Sequence, residues 1–271
     1  MLLRPASLLC ALMLIACSAL VARADEPFQV TPAQLTLTGN FTQTQLLVTG
    51  AGAEDLTAAA QYASANDAIV PVTPSGRLIP RGDGTTEITI TAAGGSRKAP
   101  VTVSGVVAEP AVSFLDQVRP AINKAGCSMA ACHAAQHGKG GFKLSVFGFD
   151  PAGDHFAMTK DSQGRRLNPL APEESLLLRK PTMGIPHLGG RRLDPKSRDY
   201  ELMVAWIRGG AAGPKTERAI SQLVVTPAKR VGEPGLKQQL RIDAVYADGE
   251  VRDVTAWAKF DSMDDGVVNV T

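Results

Sequence analysis

Cysteine is scarce in this sequence: four occur in 271 residues, and Cys10 and Cys17 lie near its start. Beyond residue 24 only Cys127 and Cys132 remain, which excludes a small scaffold stapled by many disulfides. Aromatic residues are few (5%), while 26 glycines and 18 prolines point to many turns, a composition that suits small β domains. A net formal charge of +2 gives no electrostatic case for nucleic acid. No segment beyond the first residues is apolar enough to span a bilayer. A Ser-His-Asp set and a supported carboxylate pair are both missing. Gly138-Lys139-Gly140-Gly141 lacks the spacing and the Ser/Thr of a phosphate loop. None of these motifs names a substrate or a reaction.

The first 24 residues read as an export leader. Arg4 precedes an uncharged apolar run, Leu8 to Ala16, and Ala22-Arg23-Ala24 is an A-x-A cleavage site. Leu14-Ile15-Ala16-Cys17 also resembles a lipoprotein box, which would leave a lipid anchor on Cys17. Either reading exports the chain to the periplasm or the cell surface.

An internal repeat organises the rest. Val30-Thr31-Pro32-Ala33 recurs as Val225-Thr226-Pro227-Ala228, and Gln45-Leu46-Leu47-Val48 parallels Gln239-Leu240-Arg241-Ile242. Asp55-Leu56-Thr57 parallels Asp253-Val254-Thr255. Within the copies, TEITITA (86–92) and QLRIDAVYADG (239–249) alternate as strands do, with Ile88 and Ile90 toward a core. The Asp-x-Thr…Tyr-x-Ser-x-Asn-x-x-Ile-x-x-Val…Gly run at 55–76 resembles bacterial Ig-like domains of group 2. That resemblance implies a β-sandwich at 27–107 and a second, partial one at 219–271. The second copy stops about 30 residues sooner than the first after the shared Val72/Val270 position, so the sequence is expected to be a piece of a longer protein.

Residues 112–213 lack this alternation. Ser113 with Asp116 opens a helix bearing Phe114, Leu115, Val118 and Ile122, which Pro120 should kink or shift. Ser197 opens another bearing Tyr200, Met203, Trp206 and Ile207, which Gly209 ends. A helix at each end with irregular chain between suggests a small haem domain.

Between those helices, Cys127-x4-Cys132-His133 is two residues longer than the C-x-x-C-H attachment pattern of c-type haem. In that pattern two thiols form thioethers with one porphyrin edge, and the histidine beside the second cysteine ligates the iron. Only that second Cys-His pair must be adjacent. A plain Cys127–Cys132 disulfide and a zinc site using two histidines are the competing readings. The resemblance to c-type cytochromes, whose distal ligand lies some way before a terminal Trp-Ile helix, implies His187 as the favoured distal iron ligand and Met183 as the alternative. Arg165, Arg166, Arg191 and Arg192 suit haem propionates, since Arg pairs with carboxylates in bidentate fashion. His137 and His155 read as exposed polar residues.

The stretches GKGGFKLSVFGFDP (138–151), GRRLNPLAPEESLLLRKPT (164–182) and IPHLGG…YELMVAWIRGGA (185–211) resemble the cytochrome c-like domain of large exported proteins abundant in planctomycetes. The resemblance implies a multidomain chain: leader 1–24, all-β Ig-like sandwich 27–107, mainly α cytochrome c-like domain 112–213 and truncated Ig-like sandwich 219–271. It implies an exported haem c module that passes electrons to a redox partner protein or an attached C-terminal domain. Fourteen Lys and Arg against nine Asp and Glu in 112–213 would favour an acidic redox partner. The alternative is a structural or adhesive Ig-like surface protein, with Cys127 and Cys132 as a disulfide or zinc site.

Overall fold

In a computed structural model of the protein, residues 27–270 are described. The leader, Cys10 and Cys17, with the cleavage and lipid-anchor readings that rest on them, lie outside the described residues.

The first copy is built from eight strands: β1 (Phe28–Thr31), β2 (Leu35–Thr38), β3 (Thr44–Gln45), β4 (Leu47–Gly50), β5 (Gln61–Ser64), β6 (Arg77–Leu78), β7 (Gly84–Ala92) and β8 (Gly95–Ser104). One sheet runs β2-β8-β7-β5, with β2 parallel to β8 and the other pairs antiparallel. β1 pairs with β4, and β3 with β6. Alternation puts Ile88, Ile90, Val101 and Val103 on one face of the β7–β8 pair, where they meet Phe28, Leu46 and Val48 in one core. Ile88 and Ile90 are fully buried, as their spacing predicts.

The second copy forms a three-stranded antiparallel sheet from β9 (Ile220–Thr226), β10 (Arg241–Tyr246) and β11 (Val251–Asp253), in the order β11-β10-β9. The repeat is kept in register: Val30 lies opposite Val48 in the first copy, and Val225 opposite Ile242 in the second. The burial differs. Phe28 is 0% exposed, whereas Leu223, which holds its place in β9, is 57% exposed. In the first copy β7 and β8 help to bury Phe28.

The middle segment corrects the sequence reading. A mainly α cytochrome c-like domain was expected over 112–213, but its α-helices are four and short: α1 (Arg119–Lys124), α2 (Pro151–Thr159), α3 (Leu176–Arg179) and α4 (Arg198–Arg208). The described residues are mostly β, and the four short helices do not make 112–213 a mainly α domain. The physical reason lies in the sequence between the end helices. Glycines at 138, 140, 141, 148 and 164 all take positive φ, a backbone state that ends helices. Prolines at 151 and 172 restart the chain at first-turn positions.

The end helices do form where their caps predict. The Ser113 hydroxyl accepts from Asp116 N (3.1 Å), and a π-helical turn at 114–118 passes into α1 with Pro120 in its first turn. Ser197 Oγ accepts from Tyr200 N (3.2 Å), and Gly209 closes α4. Phe114, Val118, Leu202, Trp206 and Ile207 then pack into a second core. Phe41 from the first copy and Trp257 from the second also pack there.

Candidate cofactor site

α1 delivers the chain into a compact loop. Cys127 N donates to Ile122 O (3.0 Å), and His133 N returns to Cys127 O (3.1 Å). Leu144 N donates to His133 O (2.8 Å), tying the loop to the next segment. Gly138 makes the close return feasible: at φ 66° a Cβ there would lie 2.1 Å from Phe142 O. That carbonyl meets His133 Nδ1 at 3.0 Å and fixes the ring.

The two thiols and His133 border one cavity of about 420 Å³. Ile122, Leu144, Met158, Leu177 and Met203 give it apolar walls. Exposed Lys139, Arg165, Lys180 and Arg192 line it as well, and Asp199 is the sole carboxylate among its lining residues. His187 enters from the opposite strand of chain, its Nδ1 2.8 Å from Gly190 O. The His133 and His187 rings are nearly parallel, 16° apart, with centroids separated by 6.2 Å.

Electrostatics suit neutral ligands. Burial pushes the Cys127 thiol up to about 11, with the neighbouring Cys132 adding to the rise. It therefore stays protonated at neutral pH. Burial also holds His133 below the ordinary histidine range, against the opposing pull of the Phe142 carbonyl. Both cysteines are free thiols. Among the described residues no group of three or more His, Cys, Asp or Glu side chains is gathered to hold a metal ion. The metal-binding part of the sequence reading is corrected accordingly: side chains alone build no metal centre here.

The other expected residues divide. Arg166 lines the cavity, but its guanidinium is occupied: Nη1 donates to Ala157 O (2.9 Å) and Asp161 Oδ2 (2.8 Å), and Nη2 to Gly141 O (2.9 Å). It braces the walls. Arg192 lines the cavity while donating through Nε to Gly189 O (2.8 Å). Arg191 points to Asp194 (3.1 Å) and is not among the lining residues, nor is Met183, which is 48% exposed. His137 is exposed. His155 is not: it is half-buried between Phe114 and Trp206, with Nε2 2.8 Å from Ala211 O.

Asp199 escaped the sequence reading. It borders the cavity, accepts a hydrogen bond from Trp257 Nε1 (2.9 Å), and burial raises its carboxyl above the usual range. A helix-first-turn acid carries no local signal for this, because its partner is 58 residues away.

No family model and no curated protein matches the chain. Solved structures similar to it include domains 4 and 5 of the S-layer protein SbsC, 20% identical over 30% of this chain and 52% of that one, with a TM-score of 0.24. An intimin mutant of EHEC O157:H7 is 17% identical over 35% of this chain and 48% of that one, TM-score 0.24. Domains 5–6 of SbsC are 21% identical over 32% and 46%, TM-score 0.24. The matches span about half of each of those chains. None of the three is a cytochrome, and the resemblance of 112–213 to a cytochrome c-like domain gains no support from them.

Proposed function

We propose that the chain is a structural protein of the cell exterior, built on repeated Ig-type modules, whose middle segment takes a covalently attached haem c. The structural part is supported by the two copies in matching register and by the absence of a nucleophile-base constellation from the sequence. No helix among the described residues is long and apolar enough to cross a membrane.

One observation carries the haem reading: two thiols and two parallel imidazoles border a single apolar cavity. A haem brings nitrogen ligands of its own, so two imidazoles from the protein would be enough to hold its iron. The His133 and His187 rings are nearly parallel, with centroids 6.2 Å apart, and both border the cavity that the two thiols border. Each ring is held through Nδ1 by a backbone carbonyl, the usual outer contact of a ligating histidine. Cys127 and Cys132 would hold the porphyrin edge, His133 and His187 the iron by Nε2, and Arg165 and Arg192 the propionates. A bound haem supplies a one-electron iron couple. Burial around His133 favours its neutral form.

Co-expression with a c-type haem maturation system tests this. The purified chain should give a pyridine haemochrome band that survives acid-acetone extraction. His187→Ala should change the ferrous spectrum, and Met183→Ala should not. A colourless wild-type chain would overturn the proposal.

A further inference from the structure

The two repeat copies touch through equivalent atoms. In each copy the Asp-x-Thr motif folds back on its own Gln-bearing strand. Thr57 N donates to Asp55 Oδ1 (2.9 Å), and Thr255 N to Asp253 Oδ1 (2.8 Å). The Thr57 hydroxyl accepts from Val48 N (2.9 Å), and that of Thr255 from Ile242 N (2.8 Å). Each aspartate thus spends Oδ1 within its own copy and offers Oδ2 to the other, Asp253 Oδ2 being shared with Arg241 Nη1 of its own copy (2.8 Å). Gln45 N donates to Asp253 Oδ2 (2.6 Å), and Gln239 N donates to Asp55 Oδ2. Copy one's aspartate takes copy two's glutamine amide, and the reverse. That reciprocity defines an isologous contact, here between two halves of one chain.

The contact is buried and charged. Gln45 is 1% exposed and the Asp253 side chain 4%. Arg241 Nη1 adds a bond to Gln45 O (2.8 Å), so the peptide groups flanking Gln45 are held on both sides. Its counterpart in the first copy is Leu47, so this key exists on one side only.

From this reciprocity we infer that the Gln…Asp-x-Thr surface is a homotypic docking site whose partner is another module of the same repeat, and that in solution it locks copy one to copy two. The lock joins the two copies that flank the middle segment in sequence, whose chain leaves the first copy after β8 and enters the second at β9. Both copies then bear on that segment, through Arg198 to Pro80 O (3.1 Å) and Trp257 to Asp199 (2.9 Å).

Hydrogen exchange on the full chain, read by mass spectrometry, tests the lock. Gln239 lies outside β10, so slow exchange of its amide reports the contact. In Asp55→Asn the amide oxygen can still serve Thr57, but its NH2 group then faces the Gln239 N–H. Exchange should rise about tenfold or more at Gln239, in the other copy, as befits loss of a bond to a charged acceptor. Asp253→Asn should do the same at Gln45. Peptides from β7 should stay protected, which reports an intact fold. The inference is overturned if the wild-type Gln239 amide exchanges freely, or if each substitution loosens only its own copy.

Discussion

Arg241 should be costly to remove. Its side chain is 9% exposed and grips two carboxylates: Asp243 by Nε (2.8 Å) and Nη2 (2.6 Å), and Asp253 by Nη1 (2.8 Å). Arg241→Met keeps the length of the stem but leaves Asp253, itself 4% exposed, without its countercharge. Removing one partner of a buried pair costs about 3–5 kcal/mol. For a folding unit of this size that is about 6–20 °C in Tm. Thermal melting of the full chain, followed by circular dichroism, measures it. Arg241→Lys should lose less, since it restores the charge but not the two-pronged grip. A Met variant melting within about 2 °C of wild type would refute the reasoning, because it would mean that water reaches Asp253 freely.

Three further outcomes follow from other contacts. His133 is held neutral by burial, so the unfolded chain binds its proton more readily. Its contribution to stability is present above the ordinary value of about 6.5 and is lost as pH falls through the lower folded value; His133→Phe should flatten denaturation midpoints measured between neutral and mildly acidic pH. Asp199 has the opposite sign, its charge being disfavoured by burial, while an asparagine could still accept from Trp257. Asp199→Asn should therefore leave stability at neutral pH unchanged or raised, and a large loss in chemical denaturation would contradict that. Trp206 is 1% exposed and donates Nε1 to Ala212 O (2.9 Å); Trp206→Ala should cost about 3–5 kcal/mol in the same assay.

What could be read in advance was what local chemistry decides. Ile88 and Ile90 are placed by alternation, Ser113 and Ser197 by the hydrogen bonds a hydroxyl can offer a helix start, and the repeat by its matched residues. The two capped end helices and the irregular chain between them are legible, but they do not add up to a mainly α domain, because Gly138, Gly140, Gly141 and Gly148 turn the intervening chain by positive φ and leave only short helices. Contacts between distant segments left no local trace. Nothing near Asp55 announces Gln239, and nothing near Asp199 announces Trp257. His155 was misplaced for the same reason: its burial comes from Phe114 and Trp206, remote in sequence. The adjacency of Cys132 and His133 is legible in the sequence alone, and it is what the proposed haem attachment would require.

The central claim is that the cavity beside Cys127 and Cys132 takes a tetrapyrrole through both sulfurs. Mass spectrometry of the tryptic peptide carrying both cysteines, from chain expressed beside a working c-type haem maturation system, addresses it directly. The account predicts that this peptide carries the added mass of one haem and no free thiol. A peptide with two alkylatable thiols and no added mass would contradict it.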